Sequence, residues 1–147
     1  MVAVRQRRQC LRVWEMTFTA WPASVGLARR QVMARLADWG LQGSRADDLL
    51  IICSELVTNA IEHASEPGGD VQVRLQEVDG DCRLEVSDPR PDLLPPRHLV
   101  VRGENGRGLL LVRSLADDMD VATTKGRKTV WARVLLPAGS GRPEVAA

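Results

Sequence analysis

The fold is decided by one helix-length stretch of the sequence, Leu49-Leu50-Ile51-Ile52-Cys53-Ser54-Glu55-Leu56-Val57-Thr58-Asn59-Ala60-Ile61-Glu62-His63-Ala64. At about 100° per residue, its apolar side chains fall on one broad face of a helix. This face comprises Leu49, Cys53, Leu56, Val57, Ala60 and Ala64. The opposite side carries a polar stripe made of Asp48, Glu55, Asn59 and Glu62. The stretch therefore predicts a core helix with one polar face.

The polar stripe has two interpretations. Glu55 and Asn59 lie one helical turn apart, and asparagine is a mediocre helix former because its side chain competes for backbone hydrogen bonds. A carboxylate and a carboxamide in this arrangement could bind a hydrated divalent cation and act as a base. They could equally form an ordinary solvated face. The stretch alone favours the solvated face, so the rest of the chain has to decide.

The composition bounds the class of protein. The chain has 147 residues, 44% of them hydrophobic, which predicts one domain with a substantial core. Its formal net charge of +1 gives no global field that favours nucleic acid or a membrane. A basic cluster near the start lacks the apolar run of a signal peptide, and no segment is long enough to span a bilayer; it consists of Arg5, Arg7, Arg8 and Arg12. We expect a disordered basic tail over residues 1–11, a single domain over 12–137 and a flexible tail over 138–147.

The cysteines and histidines argue against a structural metal. Cys10, Cys53 and Cys82 are an odd number without paired spacing, and burial in a reducing cytoplasm explains Cys53 and Cys82. His63 and His98 lie far apart, so structural zinc is not expected. The chain also lacks a Gly-x-x-x-x-Gly-Lys-Ser/Thr loop, which excludes a phosphate site of the Walker type.

The remaining patterns predict a layered α/β domain. Alternation, helical spacing and turn residues give the order strand, helix, helix, hairpin, loop, helix, strand, strand. The predicted strands are 13–19, 71–76, 82–88, 120–123 and 129–136. The predicted helices are 25–39, with Ser24 as N-cap, 45–64 and 109–116. A turn at Asp79-Gly80 joins the second and third strands, and the segment 89–105 is irregular. Runs of adjacent strands imply a two-layer sandwich, with a mixed, mainly antiparallel sheet and three helices on one face.

Three features fall at corresponding edges of this domain. Glu55 and Asn59 form the first, and Asp88 is the second. Alternation places Asp88 on the apolar face at the end of its strand, where a carboxylate needs partners but could accept a hydrogen bond from an exocyclic amine such as that of adenine. The third is Gly106-x-Gly108, which opens a helix and frees backbone N–H groups at the positive end of the helix dipole, where phosphates bind well.

These motifs together resemble a known family. The segment from Glu55 to Ala64 resembles the N box of the GHKL ATPase superfamily, and more closely that of the single-domain anti-sigma-factor serine kinases and their actinobacterial relatives. Val86-Ser87-Asp88-Pro89 matches the position of the G1 box, and Gly106-Arg107-Gly108-Leu109-Leu110-Leu111-Val112 matches the G2 box. Lys128-Thr129-Val130-Trp131-Ala132 resembles the closing strand. The resemblance runs in order from Val13 to Pro137 and implies the Bergerat fold of GHKL ATPases.

The resemblance implies a role for each matching residue. Asn59 would ligate a Mg²⁺ ion that bridges the ATP phosphates, and Glu55 would be the general base toward a protein serine. Asp88 would bind the adenine amine, while the backbones of Gly106 and Gly108 would contact phosphates. Residues 89–107 would form the ATP lid. The further cofactor-binding residues that the resemblance implies are His63, Arg107, Leu109 and Thr129.

Thr129 would help to hold Asp88, but strand parity leaves its direction open. Its alternate neighbours Val130, Ala132 and Val134 form an equally good buried set.

The resemblance also implies a function. It predicts a cytoplasmic serine/threonine protein kinase, with ATP and Mg²⁺ as cofactors, that sequesters a sigma factor and phosphorylates a small anti-sigma antagonist. Direct contact with nucleic acid or a membrane is not expected, and a homodimer is allowed.

One departure supports an alternative of a different class. The family's Asp-x-Gly-x-Gly is replaced by Asp88-Pro89-Arg90-Pro91-Asp92, and proline fixes φ and removes a donor. The alternative is a regulatory module that keeps the fold and acts only by protein contact.

Overall fold

The computed structural model describes residues 10–62, 69–89, 104–124 and 126–136. Within these ranges the side chains of residues 10, 11, 104–107 and 124 are not described. The described part contains five strands and three helices. In chain order they are β1 (Cys10–Thr19), α1 (Ser24–Asp38), α2 (Ser44–Glu62), β2 (Asp70–Val78), β3 (Asp81–Asp88), α3 (Glu104–Leu115), β4 (Asp118–Thr124) and β5 (Arg127–Leu135).

The five strands form one sheet in the order β1-β2-β3-β5-β4. Each pairing between neighbouring described strands is antiparallel. The described part of the sheet is therefore antiparallel and not mixed, whereas the sequence predicted a mixed, mainly antiparallel sheet. The β2–β3 turn is formed by Asp79 and Gly80, with φ of 46° and 83°. Positive φ at both central residues is what a tight hairpin requires, and Asp-Gly supplies it. The predicted hairpin is therefore confirmed.

The helices pack against one side of the sheet. Helix α2 lies in the centre, against β2, β3 and β5, while α1 packs against α2 and β1 and α3 packs against α2 and β4. The apolar face predicted for α2 is buried, apart from Ala64, which lies outside the described residues. Strands β2, β3 and β5 bury alternate residues beneath the helices; these include Val71, Val73, Leu75, Leu84, Val86, Val130, Ala132 and Val134. The predicted two-layer α/β sandwich is confirmed.

Several boundaries differ from the prediction. Strand β1 begins at Cys10, three residues before the predicted start and inside the predicted tail, because Cys10 pairs with Val78 of β2 across a register shift. The remainder of the predicted tails lies outside the described residues. Helix α3 begins at Glu104, two residues before Gly106.

The N-cap prediction for Ser24 is wrong. The N-cap position of α1 is Ala23, which makes no side-chain capping bond. Ser24 Oγ instead donates to the carbonyl oxygen of Thr19 at 2.6 Å. The hydroxyl therefore holds the short connection from β1 to α1 rather than a free N–H group of the helix.

No helix in the described ranges combines the length and the apolar character that crossing a membrane requires.

Candidate functional site

The polar face of α2 meets helix α3 at one close contact. A Cβ atom built on Gly108 would lie 2.5 Å from Oε2 of Glu55 and 3.6 Å from its carboxyl carbon. The carboxylate of Glu55 therefore lies directly against the backbone of α3, in space that any other residue at position 108 would occupy. The Glu55 side chain is half-buried. The predicted juxtaposition of Glu55 with the Gly106-x-Gly108 motif is present in the structure.

The early start of α3 separates the roles of its two glycines. Gly106 lies in the first turn of the helix, where backbone N–H groups have no partner within the helix. Gly108 follows that turn, so its N–H falls within the regular ladder of the helix. Its distinguishing property is the absence of a side chain next to Glu55. The first turn of α3 remains a suitable position for an anion, because the dipole is positive there.

Helix α3 is fixed at its other end by Arg45. One guanidinium nitrogen, Nη1, donates to the carbonyl oxygen of Leu115, at the end of α3, at 2.9 Å and to Oδ2 of Asp48 at 2.8 Å. The other, Nη2, donates to Oδ2 of Asp117 at 2.5 Å. Asp48, a member of the predicted polar stripe, is therefore an ion-pair partner at the start of α2. Arg45 joins the start of α2 to the end of the helix that carries Gly108.

Asp88 lies on the helix-facing side at the end of β3, as predicted. Its side chain is 1% exposed, and the residue directly opposite on β5 is Lys128, whose side chain is 4% exposed. Nζ of Lys128 lies 3.5 Å from Oδ2 of Asp88. The buried carboxylate therefore has a cationic neighbour, as burial of a charge requires.

Thr129 does not join Asp88. Side chains alternate along a strand, and Lys128 and Val130 are the buried neighbours on the helix-facing side. Thr129 therefore faces the other side of the sheet, where it is paired with Ser87. Of the two parities that the sequence allowed, the structure has the one in which Val130 is buried.

The structure describes some of the remaining candidate residues in full, some by their backbone only and some not at all. Asn59 is partly buried on α2, one turn after Glu55, and Leu109 is buried in the core. His63 lies outside the described residues, as does the 90–103 part of the proposed lid. For Gly106 and Arg107 the structure describes the helical backbone only.

The donor and acceptor set fits a nucleotide. A buried carboxylate at Asp88 can accept from an exocyclic amine, and the first turn of α3 can accept a phosphate. Among the described residues, no three His, Cys, Asp or Glu side chains are grouped so that they could hold a metal ion. Mg²⁺ bound with substrate phosphates usually needs only one or two protein oxygens, and the amide oxygen of Asn59 can supply one.

Sequence reasoning missed two residues of this region. Lys128 belongs to a recognised motif, but a lysine beside a strand usually lies at the surface. For Arg45, the sequence pattern indicates only the start of a helix. Two of its partners, Leu115 and Asp117, lie 70 and 72 positions away along the chain, and no local pattern indicates them. The inward position of Asp88 was the available signal for Lys128, since a buried carboxylate calls for a cation.

Comparison with known proteins gives a family match over most of the chain. Residues 18–134 match the family described as "Histidine kinase-like ATPase domain". This range contains Glu55, Asn59, Asp88 and Gly108. The match therefore covers the whole of the candidate site.

Curated relatives agree with this match. The chain is 32% identical over 126 residues to serine-protein kinase RsbW of Bacillus velezensis, which covers 76% of this chain and 79% of that protein. It is 30% identical to serine-protein kinase RsbW of Bacillus subtilis, with the same coverage.

Among solved structures, the RsbU and RsbW domains of Rv1364c from Mycobacterium tuberculosis share the fold. The TM-score is 0.66 and the identity is 22%, over 86% of this chain and 34% of that one.

Proposed function

The chain belongs to the histidine kinase-like ATPase domain family, alongside serine-protein kinase RsbW, and on that basis we propose that it is an ATP-dependent serine/threonine protein kinase. The resemblance inferred from the sequence motifs is thereby confirmed. The observation that carries the proposal is the contact between Glu55 and Gly108. It brings a carboxylate to the helix whose first turn is suited to phosphate.

In this proposal each residue has a separate task. Asp88 accepts a hydrogen bond from the exocyclic amine of adenine, and the first turn of α3, which contains Gly106, contacts the phosphates. Asn59 supplies an amide oxygen to the Mg²⁺ ion that accompanies them. Glu55 takes the proton from the attacking serine hydroxyl, and positioning and charge neutralisation supply most of the rate in phosphoryl transfer.

The partners follow from the resemblance of the sequence motifs and belong to the proposal. We propose a sigma factor as the protein that is sequestered and a small antagonist with a phosphorylatable serine as the substrate. We propose that the protein is cytoplasmic and that residues 12–137 form a single domain. We do not propose direct contact with nucleic acid, in keeping with the net charge of +1.

Nucleotide binding is tested first, by calorimetry with ATP in the presence and absence of Mg²⁺. We expect Mg²⁺-dependent binding that Asn59→Ala removes. Ser54→Ala is the matched control, because the Ser54 hydroxyl donates within α2 to the carbonyl oxygen of Leu50 at 3.2 Å. Equal loss in both variants would show damage to the helix rather than loss of a magnesium ligand.

Transfer is tested with labelled ATP, Mg²⁺ and serine-bearing antagonist proteins from the same organism that bind the chain. We expect label on a serine of the antagonist with wild type and none with Glu55→Gln, which should still bind ATP. Asp47→Asn is the control, since Asp47 is exposed in the first turn of α2, about two helical turns before Glu55. Absence of transfer by wild type to a folded, bound antagonist would refute the kinase.

A second candidate function is favoured by the segment Asp88-Pro89-Arg90-Pro91-Asp92. A regulatory module with the same fold would bind its protein partners without transferring phosphate. ATP binding that is absent, or binding without transfer, favours this module. Transfer that depends on Glu55 excludes it.

A further inference from the structure

Two polar contacts between α2 and α3 bear on the position of the site. At one of them the Glu55 carboxylate lies against Gly108, where a Cβ would be 2.5 Å from Oε2. At the other, nearer the start of α2, Arg45 donates to the carbonyl oxygen of Leu115, at the end of α3, at 2.9 Å. Later residues of α2 thus meet earlier residues of α3, so the two helices run antiparallel. The contacts lie about 15 Å apart along α2 and about 10 Å apart along α3.

The guanidinium group of Arg45 is held from several sides. Nη1 also donates to Oδ2 of Asp48 at 2.8 Å, one turn along α2, which ties the group to its own helix. Nη2 donates to Oδ2 of Asp117, just beyond the end of α3, at 2.5 Å. Nε donates to the carbonyl oxygen of Leu135 on β5 at 3.4 Å. A planar fork with fixed donor directions therefore joins the start of α2 to the end of α3 and to the sheet.

Stability accounts for only a small part of this arrangement. The side chains of Arg45, Asp48 and Asp117 are 26%, 24% and 31% exposed, and ion pairs with this degree of exposure contribute about 1 kcal/mol or less. The buried side chains of Leu109 and Val112 already attach α3 to the core. Apolar burial is non-directional, so this attachment resists separation of the helices more than a small shift of one along the other. The directed bonds of Arg45 resist that shift.

We infer that Arg45 is a positioning residue, which sets the position of α3 along α2 and thereby keeps Gly108 against the Glu55 carboxylate. A shift of α3 by one residue, about 1.5 Å, would move Gly108 out of this contact and displace the first turn of α3 at the same time. The inference rests on the proposed function for its effect on rate, because Glu55 is the base of that reaction. It assigns a role in transfer to a residue that touches neither substrate nor base.

Transfer at saturating ATP and antagonist tests this role. We expect Arg45→Met to lower kcat about tenfold, since misplacement of a catalytic group by about 1 Å can cost about a hundredfold in rate. Arg35→Met is the matched control, because Arg35 also pairs with an aspartate three positions later, Asp38 at 3.2 Å, but in the last turn of α1. We expect Arg35→Met to transfer at the wild-type rate. Equal losses in the two variants would overturn the inference.

A double-mutant cycle with Gly108→Ala separates positioning from general damage. Gly108→Ala displaces the same carboxylate, so its effect on kcat and that of Arg45→Met should not add. We expect the double variant to have the kcat of Gly108→Ala alone, within about threefold. Independent effects would multiply instead, and that result would contradict a role through the Glu55–Gly108 contact.

An NMR measurement tests the contact without any transfer of phosphate. The backbone amide resonance of Gly108 should respond to Glu55→Gln, because this substitution removes a charge next to it. We expect the response to fall to about half or less in the Arg45→Met background, since the effect of a charge declines with distance. The Arg35→Met background should leave it unchanged. A full response in Arg45→Met would show that α3 keeps its position without Arg45.

Asp48→Ala replaces Arg45→Met in each experiment if the latter does not fold. It releases the guanidinium group from α2 and leaves the acceptors at Leu115 and Asp117 in place, so we expect changes in the same direction. The measurements also separate the two proposals. If wild type transfers no phosphate while the NMR response depends on Arg45, the kinase fails and the positioning of α3 stands. If transfer is present and Arg45→Met leaves it unchanged, only the role of Arg45 fails.

Discussion

Gly108 and Glu55 are in such close contact that a Cβ on Gly108 would lie 2.5 Å from Oε2 of the carboxylate. The two residues come from different helices, α3 and α2, and Gly108 is not among the glycines with positive φ. The absence of a side chain, rather than backbone freedom, is what position 108 requires. This makes Gly108 a probe of the position of Glu55.

We expect Gly108→Ala to reduce phosphate transfer strongly while leaving the fold intact. The new methyl group would displace the Glu55 carboxylate, which is the far end of a flexible side chain and can rotate away. Alanine also favours a helix by up to about 1 kcal/mol relative to glycine. Misplacement of a catalytic group by about 1 Å can cost about a hundredfold in rate. Transfer assays and urea denaturation measure the two effects separately.

The control for this variant is Gly26→Ala in α1. A Cβ there would meet only Nη1 of Arg30, at 3.3 Å, which is likewise the end of a flexible side chain. Both substitutions therefore test alanine in a helix, but only one of them touches Glu55. Equal activity in the two variants would contradict the role given to the Glu55–Gly108 contact.

The anchor at the other end of α3 predicts a dependence of stability on pH. The backbone N–H of Leu135 donates to Oδ2 of Asp117 at 2.7 Å, and this bond, with Arg45, lowers the pKa of Asp117. A lowered pKa in the folded state means that the stabilisation is fully present above the unfolded pKa of about 3.9. It is lost as the pH falls through the lower, folded value.

We therefore expect Asp117→Asn to lower the free energy of unfolding at pH 7 by about 1 kcal/mol, a small value because the side chain is partly exposed and screened. The difference from wild type should shrink as the pH falls below about 4. Urea denaturation between neutral and acid pH measures it. Arg45→Met removes one cause of the lowered pKa and should flatten the same dependence. A difference that stays constant down to pH 2 would refute the assignment.

The two described cysteine side chains should be unreactive in the native protein. Burial is the first cause that raises the pKa of both Cys53 and Cys82 to about 12. At pH 8 the thiolate fraction is then on the order of 10⁻⁴, and only the thiolate reacts. We expect iodoacetamide to leave both residues unmodified until denaturant is added. Peptide mapping by mass spectrometry assigns the sites, and rapid alkylation of either one in the native state would contradict the prediction.

The centre of the sheet predicts a large effect of a single truncation. Leu84 of β3 is fully buried, between Leu75 of β2 and Ala132 of β5. We expect Leu84→Ala to lower the free energy of unfolding by about 2–5 kcal/mol, from lost burial and a residual cavity. Leu135→Ala is the control, because Leu135 is 47% exposed, and should change stability by less than about 0.5 kcal/mol. Similar losses in both variants would place the core elsewhere.

Local patterns predicted those parts of the site that depend on strand and helix geometry. The period of α2 placed Glu55 and Asn59 on one face, and alternation in β3 placed Asp88 among buried residues. Alternation left the direction of Thr129 open, because β5 offered two plausible parities and the ladder to β3 selects between them. The N-cap prediction for Ser24 failed for a related reason. The Ser24 hydroxyl had a choice of partners, and the carbonyl oxygen of Thr19 comes within its reach only in the folded chain.

Periodicity and turn chemistry predicted the class of fold, because they are properties of neighbouring residues, and the resemblance of the motifs indicated the family. Which groups meet across the site depends on the tertiary structure. It placed Gly108 against Glu55, Lys128 beside Asp88, and Arg45 at the end of α3. Each of these contacts joins residues distant in the chain. Such contacts are set by how the helices pack on the sheet and how its strands align, which no local pattern encodes.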